Sequence, residues 1–326
     1  MTLSLPAFAK VNLDLRILGI RADGYHDLRT IFQSLALADV VMVKRRRGPF
    51  ELACDDPQVP TDRRNLAWKA ASLLWRSAGL GRGEPRDLCI TLRKRIPVEA
   101  GLGGGSTDAA VTLLALNRLW RLGLDATSLA RLAARLGADV PFFLVGGTAL
   151  GLGRGDDIYP LADLPKVHVV LIRPGFGVST VEAYGWFDEE RRRPDDRKPL
   201  LTQLPEVPAR RGVAGRLLPA GWPAWASSLR NDLEGSVVRH HPTIGRIRQD
   251  LLDAGAVRAA MSGSGSAVFG LFERADAARR TARDLSRPGW TVVATRTLTR
   301  HDYQRLSRHQ TRRAKPVAST GQPRIR

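Results

Sequence analysis

A run of glycine and hydroxyl residues lies between Pro97 and Asp108, where it reads Pro-Val-Glu-Ala-Gly-Leu-Gly-Gly-Gly-Ser-Thr-Asp. Glycine admits positive φ and lets another group approach the main chain closely. Ser106, Thr107 or Asp108 can cap the helix predicted to follow, whose free N–H groups and partial positive charge favour an anion. The pattern therefore favours phosphate binding over a plain strand-to-helix turn. Its spacing is neither that of the P-loop, which needs a lysine after its last glycine, nor the dinucleotide fingerprint.

Three further groups of residues could do chemistry. Lys10 and Asn12 lie two apart in a predicted strand, so they share one face and could bind a phosphate or a hydroxyl. Tyr25 and His26 follow a turn at Gly24, and Asp139 precedes Pro141. Each has a purely structural alternative: a lysine that blunts a strand edge, an exposed aromatic beside a satisfied histidine, and a helix cap.

The chain has 326 residues with a net charge of +19 and a pI near 11.2, so anionic partners are expected. Most of the arginines fall outside the predicted core and are interpreted as solvated surface. The two cysteines, Cys54 and Cys89, form neither a disulfide framework nor a metal-ligand spacing, which favours a reducing cytoplasm. The N-terminus lacks the pattern of a signal peptide, and no apolar run reaches membrane-spanning length.

Both helices and strands are predicted around these residues, which indicates an α+β protein. In the first half we expect strands at 3–9, 11–18, 28–43 and 87–94, a loop at 48–64, and helices that begin at Asn65, Thr107 and Asp125. The glycine-rich stretch 146–155 is interpreted as a domain boundary. The alternation of Val11, Leu13, Leu15 and Ile17 with polar residues predicts a half-buried first strand.

The sequence of the second half predicts strands and helices in the order β-α-α-β-α-β, with the helices on one face of a sheet. Strands are expected at 168–172, 267–272 and 290–294, and helices follow Asn231, Ile244 and Ala275. A second glycine loop, Met261-Ser-Gly-Ser-Gly-Ser266, leads into the middle strand. Residues 188–226 give no clear pattern. The Arg-rich stretch beyond Leu298 is predicted to lack a fixed structure.

The two glycine loops and Lys10 together resemble the three motifs of the GHMP small-molecule kinases, named for galactose, homoserine, mevalonate and phosphomevalonate. The segments 9–13, 21–26, 137–141 and 231–234 are similar to the branch that acts on a cytidine diphosphate sugar alcohol, in the non-mevalonate route to isoprenoid precursors. The similarity runs from about residue 5 to 295. It implies the two-domain GHMP kinase fold: an ATP-binding domain like domain 2 of ribosomal protein S5 at 1–155, a ferredoxin-like domain at 156–298, and a basic tail at 299–326.

The resemblance also implies roles for single residues. Asp139 would accept the proton of the methylerythritol 2-hydroxyl, Lys10 would stabilise charge beside the γ-phosphate, and Asn12 would hold the polyol. Tyr25 and Tyr184 would sandwich the cytosine, with His26 hydrogen-bonding it and Thr180 nearby. Asn65 and Lys94 would lie near the adenosine, and Mg²⁺ would arrive bound to ATP. The ATP phosphates would be wrapped by Pro97, Val98, Glu99, Ala100, Gly101, Leu102, Gly103, Gly104, Gly105, Ser106 and Thr107.

Two other functions stay open at this point. One is another GHMP kinase, of the mevalonate or homoserine type, although Tyr25 and His26 suit a nucleobase better than a small acid. The other is an RNA-binding protein of S5-like fold, suggested by the basic composition. The kinase interpretation predicts a cytoplasmic monomer or weak homodimer with a small-molecule substrate and neither a membrane nor a nucleic acid as partner. It also predicts that removal of 299–326 leaves activity intact.

Overall fold

The computed structural model describes residues 2–191, 221–222 and 228–308. Most of the unassigned stretch 188–226 and the end of the predicted tail lie outside these residues. In the first half, a six-stranded sheet has the order β3-β4-β2-β5-β6, with β1 paired antiparallel to β2. Its strands are β1 (Thr2–Ile20), β2 (His26–Pro49), β3 (Glu51–Cys54), β4 (Arg86–Arg93), β5 (Thr148–Gly153) and β6 (Asp157–Pro160). The helices of this half are α1 (Leu66–Ser77), α2 (Gly104–Trp120), α3 (Ala126–Leu136) and α4 (Phe142–Val145).

Strand β1 is continuous where two strands were predicted, and β-bulges between Phe8 and Lys10 and between Asn12 and Asp14 bend it. Its apolar residues are buried as expected. Lys10, Asn12 and Asp14 on the other face are buried as well, so the prediction of a half-buried strand was wrong. The polar face is covered by side chains such as Asp139 and Thr30 instead of facing water.

Helix α2 runs through the interior of the first half, as its apolar composition predicted. It begins at Gly104, earlier than the predicted Thr107. Its N-cap is Gly103 at a φ of 72°, with no side-chain cap, so the expectation that Ser106, Thr107 or Asp108 caps the helix was wrong. The hydroxyls lie inside the first turn, and the Asp108 carboxylate binds a buried lysine instead.

The glycine-rich stretch predicted to be a boundary forms the hairpin β5–β6, which pairs with β2. A Cβ at Gly151 would lie 2.7 Å from the Phe32 ring, so glycine lets this strand lie directly on the core. The first sheet thus extends to Pro160, beyond the predicted division at 155. Part of the predicted loop 48–64 likewise forms β3, which pairs parallel to β4.

The second half contains a four-stranded antiparallel sheet in the order β10-β7-β9-β8, which is the ferredoxin-like arrangement that was predicted. Strand β8 was missed by sequence reasoning, since four residues carry little periodicity. The strands are β7 (His168–Arg173), β8 (Arg258–Met261), β9 (Val268–Phe272) and β10 (Thr291–Arg296). The helices are α5 (Thr180–Arg191), α6 (Glu234–His240), α7 (Pro242–Asp253) and α8 (Ala275–Asp284).

A further helix, α9 (Arg300–Arg308), follows β10. The prediction that the chain lacks structure beyond residue 298 was therefore wrong for its first ten residues. Tyr303 is buried, its ring packs on Phe8 at 5.4 Å, and its hydroxyl donates to the Phe143 carbonyl at 2.6 Å. Tyr303 thus anchors a helix whose other residues are mostly polar or charged.

Three large apolar clusters form the core. One lies between the first sheet and α1–α3, and another lies between the second sheet and its helices. The third joins Val11 and Leu13 of β1 to Leu171 and Phe269 of the second sheet, so the two halves share a continuous core. Within the residues described, no helix is both long and apolar enough to cross a membrane.

Candidate active site

A cleft of about 720 Å³ lies where the two halves meet, over the polar face of β1. Residues from both halves line it, which is why no single stretch of sequence encodes it. The structure brings nine of the predicted site residues to its walls: Lys10, Asn12, Tyr25, His26, Gly101, Ser106, Asp139, Thr180 and Tyr184.

Lys10 lies at the floor of this cleft and is almost fully buried. Its Nζ is 2.6 Å from Asn12 Oδ1 and 3.1 Å from Asp139 Oδ2, and it lies 5.5 Å from the centre of the Phe32 ring. Asn12 in turn donates to Thr30 Oγ1 at 2.8 Å. The Lys10 ammonium is thus held between an amide and a carboxylate, with its charge facing the cleft.

Asp139 lies after α3, which ends at Gly137, and before the short helix α4. The cap of α4 is Pro141, so the structural alternative of Asp139 as a helix cap does not apply. About a third of the Asp139 side chain is exposed. It is therefore accessible to a molecule in the cleft while its carboxylate stays paired with Lys10.

The predicted phosphate loop forms the upper wall of the cleft and leads into α2. Gly101 and Gly103 have φ values of 69° and 72°, in the left-handed region that favours glycine. The Thr107 N–H is the first to bond within the helix, to the Gly103 carbonyl at 2.9 Å. The N–H groups of Gly104, Gly105 and Ser106 precede that bond, and no side chain caps them. Free N–H groups at a helix start are a favourable place for an anion.

The second glycine loop, 261–266, packs directly against the first. Ser262 Oγ donates to the Gly101 carbonyl at 2.9 Å, and the Ala267 N–H donates to the Ala100 carbonyl at 3.2 Å. A Cβ at Gly101 would lie 2.1 Å from the Ser262 carbonyl oxygen. This close approach requires glycine and ties the phosphate loop to the second half.

Beneath the phosphate loop lies a buried ionic triad of Lys94, Asp39 and Asp108. Lys94 Nζ is 2.5 Å from Asp39 Oδ2 and 2.6 Å from Asp108 Oδ2. Asp39 Oδ1 also accepts from the N–H groups of Arg95 and Ile96. Burial raises the pKa of Asp108 to about 7 against the opposing charge of Lys94. The triad fastens the entry of the loop to β2.

Lys94 and Asn65 are thus occupied by structural contacts. The Lys94 side chain is buried. Asn65 caps α1 through the Ala67 N–H and donates to the Pro60 carbonyl, which confirms the predicted cap. Neither residue lines the cleft. Their predicted position near the adenosine stays a prediction.

At the far end of the cleft, the aromatic residues cluster. The rings of His26 and Tyr184 stack with centres 4.6 Å apart, and His26 Nε2 lies 2.9 Å from Asp188 Oδ1. Burial and the charge of Asp139 raise the pKa of the Tyr184 hydroxyl, which keeps it a neutral donor. Tyr25 is exposed, with the Arg154 guanidinium over its ring. In this arrangement His26 covers one face of Tyr184, so a base held between Tyr25 and Tyr184 would use the other face or displace His26.

No group of three or more metal-binding His, Cys, Asp or Glu side chains occurs among the residues described. Thr107 Oγ1, in the first turn of α2, is buried without a hydrogen-bond partner. A Mg²⁺ that arrives on a triphosphate takes most of its oxygen ligands from phosphate and water. A hydroxyl oxygen without a partner would suit such an ion as an added ligand, although Thr107 itself does not line the cleft.

Sequence reasoning missed several contributors to the cleft. Thr30 supports Asn12, Asp188 orients His26, and Gly263 and Ser264 line the cleft. Ser264 Oγ lies 3.1 Å from Thr180 Oγ1. The second glycine loop was a visible signal for Gly263 and Ser264. Asp188 had none, because a single acid near a charged stretch resembles solvated surface.

The fold and this cleft define a small-molecule kinase. Residues 65–147 match the model for the GHMP kinases N terminal domain, and residues 215–289 match that for the GHMP kinases C terminal domain. Two solved structures share the fold: homoserine kinase from Cytophaga hutchinsonii (TM-score 0.64, 20% identity, covering 91% of this chain and 95% of that one) and mevalonate kinase from L. major (TM-score 0.65, 16% identity, covering 91% and 96%).

Higher identity is found with one group of curated kinases. The chain is 46% identical to 4-diphosphocytidyl-2-C-methyl-D-erythritol kinase of Synechococcus sp. (strain JA-2-3B'a(2-13)), over 87% of this chain and 89% of that protein. The corresponding kinase of Moorella thermoacetica is 43% identical over 91% and 99%. A crystal structure of 4-(cytidine 5'-diphospho)-2C-methyl-D-erythritol kinase matches with a TM-score of 0.70, 39% identity, and coverage of 90% and 98%. The chain belongs to this family of GHMP kinases.

Proposed function

We propose that the chain transfers the γ-phosphoryl group of ATP to the 2-hydroxyl of 4-(cytidine 5'-diphospho)-2-C-methyl-D-erythritol, a step towards isoprenoid precursors. The observation that carries the proposal is the pairing of Lys10 Nζ with Asp139 Oδ2 at 3.1 Å, on the floor of a cleft walled by the phosphate loop. The names of the relatives supply the acceptor.

Phosphoryl transfer depends on positioning and charge stabilisation more than on covalent help from the protein. The N–H groups of Gly104, Gly105 and Ser106 bind phosphate oxygens at the helix start, and Lys10 stabilises the charge that develops on the transferred group. Thr107 Oγ1 would be a candidate protein ligand for Mg²⁺ that arrives on ATP, and the ion would neutralise the remaining phosphate charge.

Asp139 orients the acceptor hydroxyl and takes its proton. The acceptor oxygen forms a bond to the γ-phosphorus as the bond from that phosphorus to the bridging oxygen breaks, and ADP leaves. Asn12, held by Thr30, orients the polyol. A loose transition state needs little help from a base, so the proton passes to the Asp139 carboxylate late in the reaction.

The cytidine end occupies the aromatic part of the cleft. His26, oriented by Asp188, hydrogen-bonds the base through its remaining ring nitrogen, while Tyr25 and Tyr184 stack on it and Thr180 lies nearby. The enzyme acts as a monomer or weak homodimer in the cytoplasm without nucleic acid. Its two unpaired cysteines are compatible with a reducing compartment.

An acceptor assay tests this proposal. The purified chain is incubated with ATP and Mg²⁺ and with the cytidine diphosphate methylerythritol, mevalonate or homoserine, and the phosphorylated product is identified by ³¹P NMR. We expect product with the first acceptor alone. Turnover of mevalonate or homoserine at a comparable kcat/KM would contradict it.

A further inference from the structure

A second polar pocket, of about 170 Å³, lies on the other side of the second glycine loop from the active-site cleft, between β8 and helices α6 and α7. Three arginines line it, namely Arg230, Arg248 and Arg258, together with the single carboxylate of Glu234. Arg230 pairs with Asp232 at 2.9 Å and Arg248 with Glu234 at 3.4 Å. The lining therefore carries an excess of positive charge.

Arg258 is the unusual member of this set. It is only 8% exposed, and the part of the chain that the structure describes gives its side chain neither an ion pair nor a hydrogen bond to Nε. Burial lowers the pKa of its guanidinium to about 10 despite the charges of Asp14 and Glu234. A buried cation without a direct partner is costly, so such groups are normally paired.

The two nearby carboxylates are already engaged. Asp14 accepts from Arg16, Arg29 and the Arg230 N–H. Glu234 accepts from the Met261 N–H at 2.7 Å as well as from Arg248. Among the residues that the structure describes, no carboxylate therefore lies within ion-pair distance of the Arg258 guanidinium.

Guanidinium groups match the geometry of phosphate oxygens, which accept their hydrogen bonds in pairs. A water molecule occupies about 30 Å³ of liquid, so the pocket holds a group of about six waters in size. That volume suits a phosphate group with at most a short chain and is too small for a nucleotide, whose sites measure about 300 Å³ or more.

We propose that this pocket is a second phosphate-binding site, which takes inorganic phosphate or the phosphate group of a small phosphorylated metabolite. Arg258 is its central donor, and Arg230 and Arg248 close it on the solvent side. The site is separate from the nucleotide cleft. It borders Asn231, whose Nδ2 donates to the carbonyls of Met261 at 3.0 Å and Gly263 at 2.7 Å.

Isothermal titration of inorganic phosphate into the chain saturated with a non-hydrolysable ATP analogue tests the proposal, because the analogue fills the phosphate loop. We expect one binding event in the parent chain. Arg258→Met and Arg248→Met should each weaken it about tenfold or more, since each removes charge-assisted hydrogen bonds. Arg274→Met, which removes an exposed arginine paired with Asp276 in the same domain, should leave the dissociation constant unchanged.

No phosphate binding in the parent chain, or equal affinity in all three variants, would overturn the proposal. Arg248 is more than a third exposed, so Arg248→Met keeps the test decisive if Arg258→Met does not fold. A parallel titration with glycerol 3-phosphate distinguishes the source of the phosphate group. Tighter binding of glycerol 3-phosphate identifies a phosphorylated metabolite as the ligand, and equal binding identifies the free ion.

Discussion

The polar residues of the cleft hold one another in place through hydrogen bonds and ion pairs. Lys10 is fixed by Asn12 and Asp139, Asn12 by Thr30, and His26 by Asp188. Such support keeps the reacting groups within a narrow range of positions, which phosphoryl transfer requires more than it requires a strong base. We therefore expect substitutions of these residues to change kcat or KM according to the atom that is lost.

Asp139→Asn should lower kcat by orders of magnitude while the KM for ATP changes little, because the amide keeps the shape of the side chain but cannot accept the acceptor's proton. Steady-state kinetics with both substrates measures this. Asp284→Asn, an exposed acid at the end of α8 that does not line the cleft, serves as the control. Near-normal turnover of Asp139→Asn would refute the proposed role.

Asp108→Asn should change the pH dependence of stability. The folded-state pKa of Asp108 is raised to about 7 from 3.8, so its proton stabilises the fold at low pH, and that contribution is lost as the pH rises through 7. The slope can reach at most about 1.4 kcal/mol per pH unit for one proton. Urea unfolding from pH 4 to 8 should show a smaller decline in Asp108→Asn. An unchanged slope would show that Asp108 does not carry this proton.

At the scale of elements, two glycine loops from different halves make one wall. The contact between Gly101 and Ser262 leaves no room for a side chain at residue 101. The apolar cluster that joins β1 to the second sheet fixes the distance between the two sheets. The phosphate loop is thus shaped by tertiary contact as well as by its own glycines.

Gly101→Ala should lower the free energy of unfolding by more than about 2 kcal/mol, since strain at positive φ adds to a clash with backbone, and should raise the KM for ATP. Gly79→Ala is a matched control, because Gly79 has the same φ of +69° and nothing within 4 Å of its Cβ position. That variant should lose about 1 kcal/mol through strain alone. Equal losses in the two variants, measured by urea denaturation, would argue against the loop–loop contact.

For the molecule as a whole, α9 extends the range of residues that we expect the enzyme to need for stability and activity. Tyr303 ties this helix to Phe8 of β1 and to the Phe143 carbonyl, and a Cβ at Gly146 would lie 2.2 Å from the Tyr303 ring. These contacts support the segment that follows Asp139. The earlier prediction that all of 299–326 can be removed is replaced by a narrower one.

Removal of residues 309–326 should leave kcat and the midpoint of thermal unfolding unchanged, whereas removal of 299–326 should lower both. Tyr303→Ala should cost about 3–5 kcal/mol, since it leaves a large cavity and an unpaired carbonyl. Calorimetry and steady-state kinetics on the three variants measure these effects. If the longer truncation behaves like the shorter one, α9 has no part in supporting the Asp139 segment.

From the sequence alone, turn chemistry and strand periodicity predicted an α+β protein, the two glycine loops and the shared strand face of Lys10 and Asn12, because these signals lie in neighbouring residues. The resemblance to the GHMP kinases implied the two-domain fold and the position of Asp139 beside Lys10. It did not predict the burial of the polar face of β1, the start of α2 at Gly104, strands β3, β5, β6 and β8, or helix α9. Those features depend on contacts between distant segments: Asp139 and Thr30 contact the polar face of β1, Lys94 after β4 pairs with Asp108, and Tyr303 of α9 packs on Phe8. The local sequence determined which turns, helix starts and reactive side chains the protein has. Packing between distant segments decided which of those side chains come into contact, because such contacts leave no signal in neighbouring residues.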